Sequence, residues 1–65
     1  MADKTEWPEL VSVEADIATN VIQRENPNLK IEILLAGTPT SGEKSDRVRL
    51  YVNIHNLVVE VPRVG

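Results

Sequence analysis

The chain contains no cysteine and no phenylalanine, and its only large aromatic side chains are Trp7 and Tyr51. The absence of cysteine excludes a disulfide framework, a thiolate metal site and a cysteine nucleophile. With a single histidine and carboxylates that lack ligand spacing, we expect no metal site and no cofactor. Two aromatic side chains are also too few for a surface that stacks nucleic-acid bases.

Basic residues are in the minority, with seven Lys and Arg against ten Asp and Glu and a net charge of −3 at pH 7. This balance argues against a general nucleic-acid binder, which normally carries a basic patch. No apolar run approaches the roughly 18 to 20 residues of a membrane span, so a membrane is not an expected partner either. Residues 1–6 are mostly polar and do not resemble a secretory signal. The compartment stays unknown, because secreted and cytoplasmic locations both fit the sequence.

The length of 65 residues predicts a single domain over residues 1–65. A chain of this size buries only about 60% of its unfolded surface, which leaves little room for a core and a deep catalytic cleft together. We therefore expect a binding protein that acts as a monomer, and not an enzyme.

A helix is predicted over residues 13–25, because apolar residues recur there at spacings of three and four. Ser12 is the predicted N-cap, and Asn26-Pro27 should end the helix because proline disfavours helix at the residue before it. The apolar positions are Val13, Ile17, Ala18, Val21 and Ile22.

Alternating apolar and polar residues predict three strands. The first covers residues 29–33 and is extended by Leu34 and Leu35, and the third covers residues 57–61, between a turn at 53–56 and Pro62. The second begins at Arg47 and has two distinct faces. One face carries Val48, Leu50 and Val52, and the other carries Arg47, Arg49 and Tyr51. A helix followed by strands in this order predicts an α+β fold with one helix on a small sheet.

The segment from Ala36 to Asp46 has eleven residues and no large apolar side chain, so it is predicted to be a loop. Most connections have about four to six residues, and longer ones in compact domains tend to be functional or disordered. Parallel neighbouring strands need a crossover of roughly a dozen residues. The loop could therefore join parallel strands, although a wide hairpin is also compatible with the periodicity.

Five segments of the chain, in this order and spacing, resemble the potato inhibitor I family of serine protease inhibitors. They are Thr5-Glu6-Trp7-Pro8-Glu9-Leu10-Val11, Glu25-Asn26-Pro27, Gly37-Thr38-Pro39, Asp46-Arg47-Val48-Arg49-Leu50 and Val61-Pro62-Arg63-Val64-Gly65. The resemblance implies one helix packed on a small mixed sheet, with an exposed binding loop, residues 36–46, between two parallel strands. It also implies a core made of Trp7, Leu10, Ala18, Val21, Ile22, Ile31, Val48, Leu50 and Val52.

The resemblance further implies that the loop is presented to subtilisin-, chymotrypsin- or elastase-like proteases as a mimic of their substrates. The loop residues expected to contact the protease are Thr38, Pro39, Thr40, Ser41, Gly42, Glu43 and Lys44. Arg47 and Arg49 lie two apart on a strand and so point to one face. By the resemblance this face lies beneath the loop, where both guanidiniums, together with the carboxylate of Gly65, support it.

The loop departs from the family pattern, because it is one residue shorter between Gly37 and Arg47. Counting back from Arg47 places the reactive bond at Ser41–Gly42, and counting forward from Gly37 places it at Gly42–Glu43. Either choice puts a small residue at P1, the residue whose carbonyl the protease attacks, and so predicts weakened inhibition. The alternative hypothesis is a stable scaffold of the same fold whose diverged or engineered loop no longer inhibits.

Overall fold

The computed structural model describes residues 4–65 and contains a three-stranded mixed sheet with one helix. Strand β1 is Lys30–Leu35, β2 is Arg47–Val52 and β3 is Arg63–Val64; helix α1 is Ala15–Glu25, preceded by a 3-10 turn at Pro8–Leu10. The strand order is β1-β2-β3, with β1 parallel and β3 antiparallel to β2. The α+β fold with one helix and parallel strands around the loop is thus confirmed. No helix in residues 4–65 is long and apolar enough to cross a membrane.

Helix α1 begins two residues later than its periodicity predicts. Ser12, the predicted N-cap, has a φ of 75°, and the cap is Glu14, which makes no capping bond with its side chain. The chain is drawn out of helical geometry here because the main-chain oxygen of Val13 accepts from the amide of Val58 at 2.8 Å. The first helical amide, that of Ala15, donates at 2.9 Å to Asn56 in a distant turn. The predicted end is confirmed, since the helix stops at Glu25.

The predicted strand over residues 57–61 is wrong. Leu57 and Val58 form only isolated bridges, to Glu14 and Val52, and regular pairing resumes after Pro62, in β3. Alternation reports which face of an extended segment is buried, and Val58 is indeed buried. It does not show whether a neighbouring strand can form a continuous row of hydrogen bonds with the segment.

The core lies between α1 and one face of the sheet. It consists of Trp7, Leu10, Ala15, Ala18, Ile22, Leu29, Val48, Leu50, Val52 and Val58. Two predicted core residues, Val21 and Ile31, are only partly buried against it, while Ile17 is 54% exposed. The prediction missed Ala15, Leu29 and Val58, the first because a small side chain contributes little to an apolar pattern.

The register of the parallel pair decides which side chains face the loop. Leu50 pairs with Ile33, while Arg49 pairs with Glu32 one residue away. Since Leu50 is buried in the core, Arg49 points to the opposite face of the sheet. Residues 36–46 are exposed and without regular structure.

Candidate functional site

Both ends of the loop are fixed by hydrogen bonds to the sheet. At its start, the amide and the hydroxyl of Thr38 donate to the main-chain oxygen of Leu35 at 3.0 and 2.6 Å. At its end, the main-chain oxygen of Asp46 accepts from the amide of Lys30 at 2.7 Å. The strand ends therefore set where the loop leaves and rejoins the sheet.

The middle of the loop is bound to β2 through two guanidiniums. Nη2 of Arg49 donates to the main-chain oxygen of Ser41 at 2.8 Å, and its Nη1 donates to that of Gly42 at 3.3 Å. Nη2 of Arg47 also donates to the oxygen of Gly42, at 3.3 Å. Bonds of this kind, with a charged donor, are roughly twice as strong as neutral ones. Through these contacts the two arginines of β2 can support the backbone of the loop.

Gly65 contacts both the loop and β2. Its main-chain oxygen accepts from Nε of Arg47 at 2.9 Å and from the amide of Lys44 at 3.2 Å. Its amide donates to the main-chain oxygen of Arg47 at 2.8 Å. The segment after β3 therefore orients one arginine and contacts the loop directly.

A further contact was missed by the sequence analysis. The hydroxyls of Thr40 and Tyr51 lie 2.8 Å apart and share a hydrogen bond. Tyr51 lies two residues beyond Arg49 on β2 and hence on the same face. That spacing was the available signal, but it does not say that a hydroxyl on the loop lies within reach.

The remaining candidate residues of the loop lie at the surface of the protein. Pro39, Ser41, Glu43 and Lys44 are all exposed. Among residues 4–65, no hydrogen bond or ion pair involves the side chains of Ser41, Glu43 or Lys44. The loop is thus held through its backbone and the hydroxyls of Thr38 and Thr40, while these three side chains stay available to a partner.

The backbone of the loop changes direction at Gly42, whose φ is 77°. In an extended segment successive carbonyls point to opposite sides. Here the carbonyl oxygens of Ser41 and Gly42 both lie against the guanidinium of Arg49. Glycine adopts such a φ without the strain that a Cβ atom would cause.

The sequence is similar to those of known proteins along nearly its whole length. Residues 1–65 match the profile of the potato inhibitor I family. An inhibitor of trypsin and hageman factor from Cucurbita maxima is 46% identical over 63 residues, which are 95% of this chain and 93% of that protein. Proteinase inhibitor I-B of Nicotiana tabacum is 44% identical over 95% of this chain, but the match spans only 60% of the tobacco protein.

Solved structures of similar proteins have the same fold. The crystal structure of bitter gourd trypsin inhibitor matches with a TM-score of 0.88 and 34% identity, over 98% of this chain and 96% of that one. The solution structure of Cucurbita maxima trypsin inhibitor V matches with a TM-score of 0.74 and 45% identity, over 97% and 94%. The fold, the motifs and a profile match over residues 1–65 thus lead to one conclusion: the chain belongs to the potato inhibitor I family.

Proposed function

We propose that this protein inhibits serine endopeptidases by presenting residues 38–44 in the manner of a substrate. The observation that carries the proposal is the set of guanidinium contacts to the loop backbone, from Arg49 to Ser41 and Gly42 and from Arg47 to Gly42. The curated relatives are named as inhibitors of proteinases, and not as enzymes.

The contacts support inhibition because they order the loop before a protease arrives. A flexible peptide loses conformational freedom when it enters a protease cleft, and a preorganised one loses less. Protease–inhibitor interfaces bury about 1,600 Å² in total and include some of the tightest complexes known. Because the chain has no cysteine, hydrogen bonds and not a disulfide must restrain the loop.

The reactive bond predicted from the sequence is Ser41–Gly42, with Gly42–Glu43 as the alternative, and both stay predictions. Either would leave the specificity pocket of the protease nearly empty. We therefore expect a subtilisin-like or elastase-like enzyme to be inhibited before a chymotrypsin-like one. The likeness to inhibitors whose names include trypsin adds trypsin to the enzymes to be tried.

The experiment is a titration of subtilisin, elastase, chymotrypsin and trypsin with the purified protein. We expect at least one of them to lose activity in proportion to the added protein, with a 1:1 complex on size exclusion and slow cleavage within residues 36–46. Rapid cleavage without inhibition of any serine endopeptidase would instead establish the alternative, a scaffold that has kept the fold and lost the function.

A further inference from the structure

We infer that the bond offered to a protease is neither of the two predicted from the sequence but Glu43–Lys44, with Glu43 as the P1 residue, and that the matching enzyme is a serine endopeptidase that cleaves after glutamate. This inference rests on the proposed function and specifies its partner. Such an enzyme needs a basic specificity pocket, because the side chain that enters it is a carboxylate.

The first argument is the direction of the main-chain oxygens. A protease polarises the carbonyl it attacks with hydrogen-bond donors of its own, so that oxygen has to face outward. The oxygens of Ser41 and Gly42 face inward, because both accept from guanidiniums on β2. Attack on either carbonyl would first require these charge-assisted bonds to break.

The second argument is that Glu43 offers both of its main-chain groups to the outside. In an extended segment, the amide and carbonyl of one residue point to the same side, and those of its neighbours point to the other. The oxygen of Gly42 and the amide of Lys44 are both bound to the scaffold. Glu43 lies between them, and within residues 4–65 its amide and carbonyl have no hydrogen-bond partner.

The third argument is the side chain. Glu43 is exposed, and its carboxylate makes no hydrogen bond or ion pair with any residue in 4–65. The main-chain oxygen of Thr40 likewise accepts no hydrogen bond within residues 4–65. The hydroxyl of Thr40, however, is bound to that of Tyr51 at 2.8 Å. Among residues 40–43, only Glu43 has both a main-chain oxygen and a side chain that no other residue in 4–65 binds.

The scaffold also holds the chain on both sides of this bond. Hydrolysis breaks the C–N bond between Glu43 and Lys44 and adds one water molecule, which leaves a carboxylate on Glu43 and an amino group on Lys44. Gly42 stays bound to Arg47 and Arg49, and the nitrogen of Lys44 starts 3.2 Å from the oxygen of Gly65. The two new ends therefore stay close together, which favours resynthesis of the bond over release.

The test uses a glutamate-specific serine endopeptidase beside subtilisin, elastase, chymotrypsin and trypsin. We expect the unmodified protein to inhibit the glutamate-specific enzyme most strongly and mass spectrometry to find fragments 1–43 and 44–65. Glu43→Gln keeps the size of the side chain and removes its charge. It should weaken this inhibition about 10- to 100-fold, the range expected for the loss of a hydrogen bond to a charged group.

Two further variants keep the inference falsifiable. Glu43→Leu should transfer inhibition to chymotrypsin, since an apolar side chain then enters the pocket. Ser41→Leu tests the rival bond Ser41–Gly42, because it should transfer inhibition to chymotrypsin only if Ser41 is the P1 residue. Inhibition accompanied by fragments 1–41 or 1–42, or a change of preferred enzyme with Ser41→Leu alone, would overturn the inference and leave the proposed function intact. If no enzyme is inhibited by any of these proteins, the proposed function itself fails.

Discussion

The side chain of Arg49, on the central strand β2, reaches from the face of the sheet to the main-chain oxygen of Ser41, 2.8 Å from its Nη2. The contact joins a strand residue to the backbone of the loop eight positions earlier in the chain. It therefore restrains the loop without depending on which side chain stands at position 41.

Replacing Arg49 with alanine should speed cleavage of the loop more than it lowers stability. The two bonds it removes order an exposed segment, whereas the core does not depend on them. We expect cleavage by subtilisin to become about tenfold faster or more, because a hydrogen bond to a charged group contributes about 1.5 to 3 kcal/mol. The free energy of unfolding in urea should fall by less than about 1.5 kcal/mol, since the site is exposed to solvent.

Two other variants test the reason for this effect. Arg49→Lys keeps the charge but cannot bind two oxygens with a planar fork, so it should recover only part of the resistance to cleavage. Arg24→Ala, on the exposed side of α1, should change neither cleavage nor stability beyond about 0.5 kcal/mol. Equal cleavage rates for Arg49→Ala and the unmodified protein would show that the guanidinium does not brace the loop.

The hydrogen bond between Thr40 and Tyr51 should be measurable by a double-mutant cycle. Tyr51→Phe and Thr40→Val each remove one hydroxyl with little change in shape. We expect a coupling free energy of about 0.5 to 1.5 kcal/mol from urea unfolding of the four proteins. In a control cycle with Thr38→Val, whose hydroxyl bonds Leu35 instead, the two changes should add within about 0.5 kcal/mol. A coupling as small as that of the control would contradict the contact.

Gly42→Ala should destabilise the loop through its backbone and not through a clash. The φ of 77° is unfavourable for a residue with a Cβ, although no heavy atom lies within 4 Å of the place where that Cβ would stand. The cost should be about 1 to 2 kcal/mol and should appear as faster loop cleavage. Gly42→Asn should cost less, because asparagine adopts this conformation more readily. Gly65→Ala, equally free of close contacts, serves as the control and should be cleaved no faster than the unmodified protein.

Leu50 should be far more important for stability than Leu35 on the neighbouring strand. Leu50 is fully buried against α1, while Leu35 is 58% exposed at the end of β1. Leu50→Ala is expected to lower the free energy of unfolding by about 2 to 5 kcal/mol. Leu35→Ala should cost less than about 1 kcal/mol. Similar losses for the two variants, measured by urea unfolding, would mean that the core is not centred on β2.

The helix and the first two strands could be predicted because their sequences carry a period. Val48, Leu50 and Val52 are buried on one face of β2, as their alternation predicts. Strand β3 has only two residues, Arg63 and Val64, which is too short for any period to appear. It exists because β2 and the bridge between Glu6 and Arg63 give it partners, and that information lies elsewhere in the chain.

Contact between the two arginines and the loop was predicted before the structure was known, but the direction of the loop carbonyls was not. The spacing of Arg47 and Arg49 placed both side chains on one face, and the resemblance to the family placed that face beneath the loop. Neither could reveal that the carbonyls of Ser41 and Gly42 both turn toward them, because that depends on the backbone at Gly42. The predicted start of α1 was wrong for a similar reason. The main-chain oxygen of Val13 accepts a hydrogen bond from the amide of Val58, a contact that the local sequence does not reveal.

The guanidiniums of Arg47 and Arg49 recognise oxygens that every amino acid possesses. A substitution at an exposed position such as Glu43 changes the side chain that a protease contacts. It leaves the main-chain oxygens that the arginines bind unchanged. The residues that support the loop are thus different from the residues that determine which protease is bound. One scaffold could be retuned from one enzyme to another by single replacements, with its architecture left as it is.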